Sequence, residues 1–177
     1  MRKSLKIEGL SEKRNSLLLQ VFDHSSLGRG HQGDIQQLVD MGADINATIS
    51  QGIALVHLAL INNNLDLLQV LHDAGADMNA TTIDRSTPMH FAAAFGNEAM
   101  IQKLYDLGTN IHIKDIRGRT AFHLTAANGH ITGSKKLLAL GAKFHETDND
   151  GKTPLDLSRE KEMDEMTEVL KAYERSM

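Results

Sequence analysis

The chain has 177 residues, 41% of them hydrophobic, and a formal net charge of −4. That is enough apolar content for a core, and it argues against both a disordered chain and a strongly basic nucleic-acid surface. Cysteine is absent, which excludes disulfides and thiolate metal sites, and no run approaches the roughly 20 apolar residues that span a bilayer.

Residues 1–18 form a separate, mildly basic extension in which Arg2, Lys3, Lys6, Lys13 and Arg14 outnumber Glu8 and Glu12. Its start, Met1 to Leu10, lacks the apolar run of a secretory signal, so a soluble, cytoplasmic protein is expected, with leaderless export left open. Ser11 can cap a helix that runs through Leu17, Leu18, Val21 and Phe22. A docking arm is the functional alternative for this segment.

From residue 19 onward the chain repeats itself. Gly42-Ala43-Asp44-Ile45-Asn46 returns as Gly75-Ala76-Asp77-Met78-Asn79, then as Gly108-Thr109-Asn110-Ile111-His112 and Gly141-Ala142-Lys143-Phe144-His145, each after 33 residues. Four more columns keep that step: His24, His57, His90, His123; Leu38, Leu71, Leu104, Leu137; Gly52, Arg85, Gly118, Gly151; and Gly30, Asn63, Gly96, Gly129. A fixed period of this size marks a stack of small units that bury their apolar faces on one another.

The clearest copy begins Thr87-Pro88-Met89-His90-Phe91-Ala92-Ala93. Thr87 is a good N-cap whose hydroxyl can accept a first-turn N–H, and Pro88 at the first helical position costs no hydrogen bond. Ala92 and Ala93 allow close approach of a neighbouring helix, and Gly96 ends this short helix. Met100, Ile101, Leu104 and Leu107 then give a second helix one apolar stripe before Gly108 closes it. Residues 109–118 are polar and turn-prone, so each unit is expected to be helix, turn, helix and extended loop.

These residues and their period resemble the ankyrin repeat over residues 19–177. The resemblance implies an all-α solenoid of stacked helix-turn-helix units with β-hairpin-like finger loops. Its units would span about 19–51, 52–84, 85–117, 118–150 and 151–177. The first unit departs from the pattern with Val21-Phe22-Asp23-His24 and Ser26, and the last has Asp156 in the His column and no terminal finger. Both are expected to be caps. In the last, an apolar stripe of Met163, Met166, Val169, Leu170 and Tyr173 is surrounded by charge, as suits a solvated capping helix better than a partner-binding one. Gly133 and Ser134 fall inside the second helix of unit four and predict local fraying there.

Several motifs that look chemical are explained by the repeat. Gly28 to Gly33 matches G-x-G-x-x-G, but it follows a helix-like segment and Gly30 is a unit turn. Gly151-Lys152-Thr153 lacks a P-loop's earlier glycine, where Glu146 stands. A calcium loop starting at Glu146 would need a bidentate Glu where Leu157 stands. Successive column histidines on helices about 8–10 Å apart cannot share a zinc, whose ligands are about 4 Å apart. Their expected job is hydrogen bonding from the first helix to the adjacent loop. No catalytic set emerges, so no cofactor, metal or enzymatic activity is expected.

Recognition is then expected at positions that vary between copies. The resemblance implies finger tips and the first helices: Ile83, Asp84, Arg85, Ile116, Arg117 and Arg119 at the tips, and Ile61, Asn62, Phe95 and Asn128 along the helices. The apolar members beside the arginines suggest a hot-spot centre for a protein or peptide, with an acidic or phosphorylated segment meeting the arginines. A non-catalytic adaptor, scaffold or inhibitor is the leading expectation. The alternatives are an enzyme subunit with loop-built chemistry and a structural spacer joining chains through its caps. Nucleic-acid and membrane partners are not expected.

Overall fold

In the computed structural model, residues 32–176 are described. The basic extension, Ser11, the first helix of unit one with His24 and Ser26, and most of the Gly28–Gly33 segment lie outside the described residues.

The apolar stripes and caps produce short helices in pairs. The helices are α1 (Gln32–Asp40), α2 (Leu55–Ile61), α3 (Leu65–Asp73), α4 (Pro88–Ala94), α5 (Glu98–Asp106), α6 (Ala121–Ala127), α7 (Ile131–Ala139), α8 (Pro154–Glu160) and α9 (Asp164–Glu174). The first helix of each complete pair has seven residues and the second nine. The second helices start on side-chain caps: Asn64 accepts the Leu67 N–H at 2.9 Å and Asn97 that of Met100 at 3.1 Å. In unit four His130 takes that position, and its Nε2 lies 2.9 Å from the Ala94 carbonyl one unit back.

The turn between paired helices needs a left-handed residue. Asn63, Gly96, Gly129 and Glu162 hold φ of 52°, 67°, 71° and 56°. Gly96 is doubly constrained, because a Cβ there would sit 2.5 Å from the His130 ring.

Pairs stack in two layers. The first helices α2, α4, α6 and α8 form one row in mutual contact, and the second helices α3, α5 and α7 form another. One continuous core fills the space between, from Ile35 to Leu170. Leu71, Leu104, Leu137 and Leu170, each 33 residues apart, are all fully buried. The fold is therefore an all-α repeat solenoid. No strand occurs among the described residues; the fingers are hairpin turns, with one isolated bridge between Thr48 and Ala54.

The final pair closes the stack. Asp164, Glu165, Glu168, Glu174 and Arg175 are exposed on α9, while Met166 and Leu170 are buried and Tyr173 stacks on Phe144 with ring centroids 5.5 Å apart.

Gly133 corrects the expectation of fraying. α7 runs through it, with the Ser134 N–H bonded to the His130 carbonyl at 2.9 Å. A Cβ on Gly133 would meet Thr125 Cγ2 at 3.2 Å and Ile101 Cδ1 at 3.3 Å. The glycine permits close packing, and the helix-propensity cost accompanies that contact.

Candidate protein-binding face

The fingers are built by one recurring turn. In the fingers of units two to four the first residue bonds the last across a three-residue loop: Thr82 to Ser86, Asp115 to Arg119 and Asp148 to Lys152, at 2.9–3.1 Å. The loop's third residue is left-handed, with φ of 58° at Arg85, 76° at Gly118 and 74° at Gly151. Gly52 holds 72° at the same position of the first finger. Adjacent fingers are then tied tip to tip: Ile83 N–H to the Gln51 carbonyl at 2.9 Å, Ile116 to Asp84 at 2.8 Å, and Asn149 to Arg117 at 2.9 Å. Below them Asn46 and Asn79 accept the N–H of Asp77 and Asn110 in the next finger, each at 2.8 Å.

The histidine column joins these fingers to the first helices. His90 Nδ1 accepts the Thr87 N–H at 3.1 Å and its hydroxyl at 2.8 Å, so the ring proton sits on Nε2 and is donated to the Arg119 carbonyl at 2.9 Å. His123 repeats this with Thr120 and the Lys152 carbonyl, at 3.2 Å. Thr87 therefore gives its hydroxyl to a histidine rather than accepting a first-turn N–H from the backbone. His57 Nδ1 accepts the Ala54 N–H, whereas its Nε2 has no partner of hydrogen-bonding geometry. Burial lowers the pKa of all three imidazoles, against the smaller raising effect of their carbonyl neighbours. In the last unit the Asp156 carboxylate accepts the Thr153 N–H at 3.0 Å and its hydroxyl at 2.6 Å, doing the same local work where no further finger follows. Among the described residues no cluster of three or more His, Asp or Glu could hold a metal ion.

The positions expected to recognise a partner fall in two rows. The finger tips stand before the N-termini of the first helices, and Ile61, Asn62, Phe95 and Asn128 stand at their C-terminal ends. Seven helical residues, about 10 Å, separate the rows, so the expected apolar centre is two strips rather than one patch. Ile83 and Ile116 are 61% and 57% exposed in the tip row, and Ile61 and Phe95 49% and 53% in the other. Asp84, Arg85 and Arg117 are exposed, and neither arginine side chain has an ion-pair partner among the described residues. Asn62 is exposed, and Asn128 Nδ2 reaches the Ala94 carbonyl at 3.4 Å.

Arg119 is different. Its Nε and Nη2 donate to the buried Asp115 carboxylate at 2.9 and 2.7 Å, and that carboxylate also accepts the N–H groups of Arg117 and Arg119. Burial alone would raise the Asp115 pKa, but the guanidinium and backbone donors outweigh it and hold the group below its ordinary value. The expected partner contact through Arg119 is thus corrected: its fork is spent inside its own finger.

Sequence reading missed Leu58, Phe91 and Leu124. They precede Ile61, Ala94 and Ala127 by one turn, share that side of their helices, and are half-buried between the two rows. Their strict period made them look like core; only packing shows that one side of each is open.

Two models for ankyrin repeats match the chain, one for many copies over residues 56–104 and one for three copies over 89–176, together more than two-thirds of it. The chain belongs to the ankyrin-repeat family. No curated relative matches it. Ankyrin repeats are generally protein–protein interaction modules and are typically non-catalytic. No helix among the described residues is long and apolar enough to cross a membrane.

Proposed function

We propose that this ankyrin-repeat chain is a non-catalytic, soluble cytoplasmic module that holds a partner protein or peptide against the first helices and fingers of units two to four. The observation that carries this reading is the exposure of Ile61, Ile83, Phe95 and Ile116 around the half-open Leu58, Phe91 and Leu124. Apolar side chains on this scale, rimmed by polar tips, are the usual centre of a protein interface. Arg85 and Arg117, with Asp84 between them in the tip row, select an acidic or phosphorylated segment of the partner. Asn62 and Asn128 supply polar contacts at the far rim.

The spacer alternative is disfavoured by the charged outer side of α9, which offers little apolar area for end-to-end joining. The enzyme-subunit alternative is disfavoured by the histidines, since His90 and His123 spend both ring nitrogens on the scaffold.

The test is affinity capture from native extract, followed by reconstitution with the purified captured protein. The double variant Phe95→Ala, Arg117→Glu is expected to lose the reconstituted complex while its thermal unfolding matches the parent. Undiminished binding by that variant removes this face from consideration.

A further inference from the structure

The opposite layer carries an irregularity of its own. Between successive second helices a lysine straps the groove by donating to a glutamine 34 residues earlier. Lys103 Nζ reaches Gln69 Oε1 at 2.5 Å, and Lys136 Nζ reaches Gln102 Oε1 at 3.2 Å. At the next step the same two positions are Lys135 and Val169, so no strap can form. There α7 and α9 approach each other less closely than α5 and α7 do. A groove of about 330 Å³ opens between them, lined by Lys135, Leu138, Val169, Leu170, Ala172 and Tyr173.

Three features define what fits. The lining is almost wholly apolar, although this is the final unit, where a cap should present polar groups to water. The backbone groups of both helices are bonded within those helices, so an extended peptide would find nothing to pair with and would bury unsatisfied N–H and C=O groups. An occupant must therefore satisfy its own backbone, as a helix does. Lastly, Lys135 is the charged group of the lining, and it has no ion-pair partner among the described residues. Its neighbours are spent: Lys136 lies 3.2 Å from Glu98, and Lys171 lies 2.7 Å from Glu168.

We propose that the unstrapped groove between α7 and α9 is a second docking site, taking an amphipathic helix of a partner protein that presents two apolar side chains at i and i+4 and a carboxylate within one turn of them. The lined stretch of α9, Val169 to Ser176, is two helical turns long and matches an i, i+4 pair. The carboxylate meets Lys135. The site lies on the second-helix layer, so it is separate from the face of the first helices and works whether or not that face binds.

The experiment uses the full chain and a displayed library of helical peptides on a fixed polar frame, randomised along one face. The key variant is the double change Lys135→Gln, Val169→Lys, which rebuilds the strap found one and two units earlier and closes the groove without removing core. It is expected to unfold at the parent temperature or above. Peptides selected on the parent should be enriched in an i, i+4 apolar pair with an adjacent Asp or Glu. They should bind the strapped variant at least about tenfold more weakly and bind the Phe95→Ala, Arg117→Glu variant unchanged. Lys135→Glu alone should weaken them too. Selected peptides without an acid, or with equal affinity for the strapped variant, overturn the proposal, as does failure to enrich any peptide. Loss of binding in the Phe95 and Arg117 variant instead places the peptides on the other face and likewise overturns it.

Discussion

Arg85 occupies a column otherwise filled by glycine, and it holds φ of 58° where Gly52, Gly118 and Gly151 hold 72° to 76°. A side chain in the left-handed region costs about 1–2 kcal/mol, and glycine gives back about 0.5–1 kcal/mol through the extra freedom of its unfolded chain. Arg85→Gly should therefore stabilise the protein by about 0.5–1 kcal/mol, raising the unfolding temperature by roughly 1–4 °C. The same change deletes a guanidinium from the tip row, where loss of an interface arginine typically costs about 1–2 kcal/mol of binding, roughly five- to thirtyfold in affinity. Urea and thermal unfolding followed by circular dichroism, beside calorimetric titration with the captured partner, measure both. Glu162→Gly is the control, because Glu162 also sits at positive φ, 56°, but belongs to the final unit away from the tips. It should stabilise comparably and leave binding alone. If Arg85→Gly lowers stability, the strain reasoning fails; if it stabilises and binding is unchanged, Arg85 has no part in recognition.

Gly118→Ala should destabilise by about 2–3 kcal/mol, since its φ is 76° and a Cβ would stand 2.7 Å from the Asn149 nitrogen that bonds to Arg117. Gly75→Ala, with φ of 84° but open space around it, should cost only the left-handed term, and equal losses in the two urea titrations would refute the crowding account. Stability should also fall with acid in a defined window. Burial holds the folded-state pKa of His57, His90 and His123 below the ordinary 6.5, so the neutral rings stabilise fully above that pH and lose their contribution as pH drops from it toward the folded values. Each imidazole contributes a slope of up to about 1.4 kcal/mol per pH unit there; urea midpoints that stay constant from pH 7.5 to 5 contradict this. Finally, Thr125→Val should cost about 1–3 kcal/mol, because Ser134 Oγ donates to Thr125 Oγ1 at 2.8 Å in a fully buried setting and would be left without an acceptor. Adding Ser134→Ala should recover part of that loss, and a strictly additive double variant would show the hydroxyls are not coupled.

The 33-residue period alone determined the architecture, the unit boundaries, the buried leucines and the bonding role of the histidines. Those are properties of a column: any residue repeated in register meets the same surroundings in each unit, so its type declares its environment. What varies between columns is harder to read. Arg119 was legible as a tip arginine, but whether its fork was available depended on Asp115 folding under it. Leu58, Phe91 and Leu124 repeat as regularly as any core residue, and Gly133 looks like a weak point in one dimension and a close contact in three. The missing strap at Lys135 and Val169 leaves no trace in any local motif, because the partners lie 34 residues apart on different helices. Sequence periodicity fixes which residues build the units, since that is decided within and between identical copies. Tertiary packing decides which side chains remain available, since that depends on the distances between layers and on hydrogen bonds that cross them.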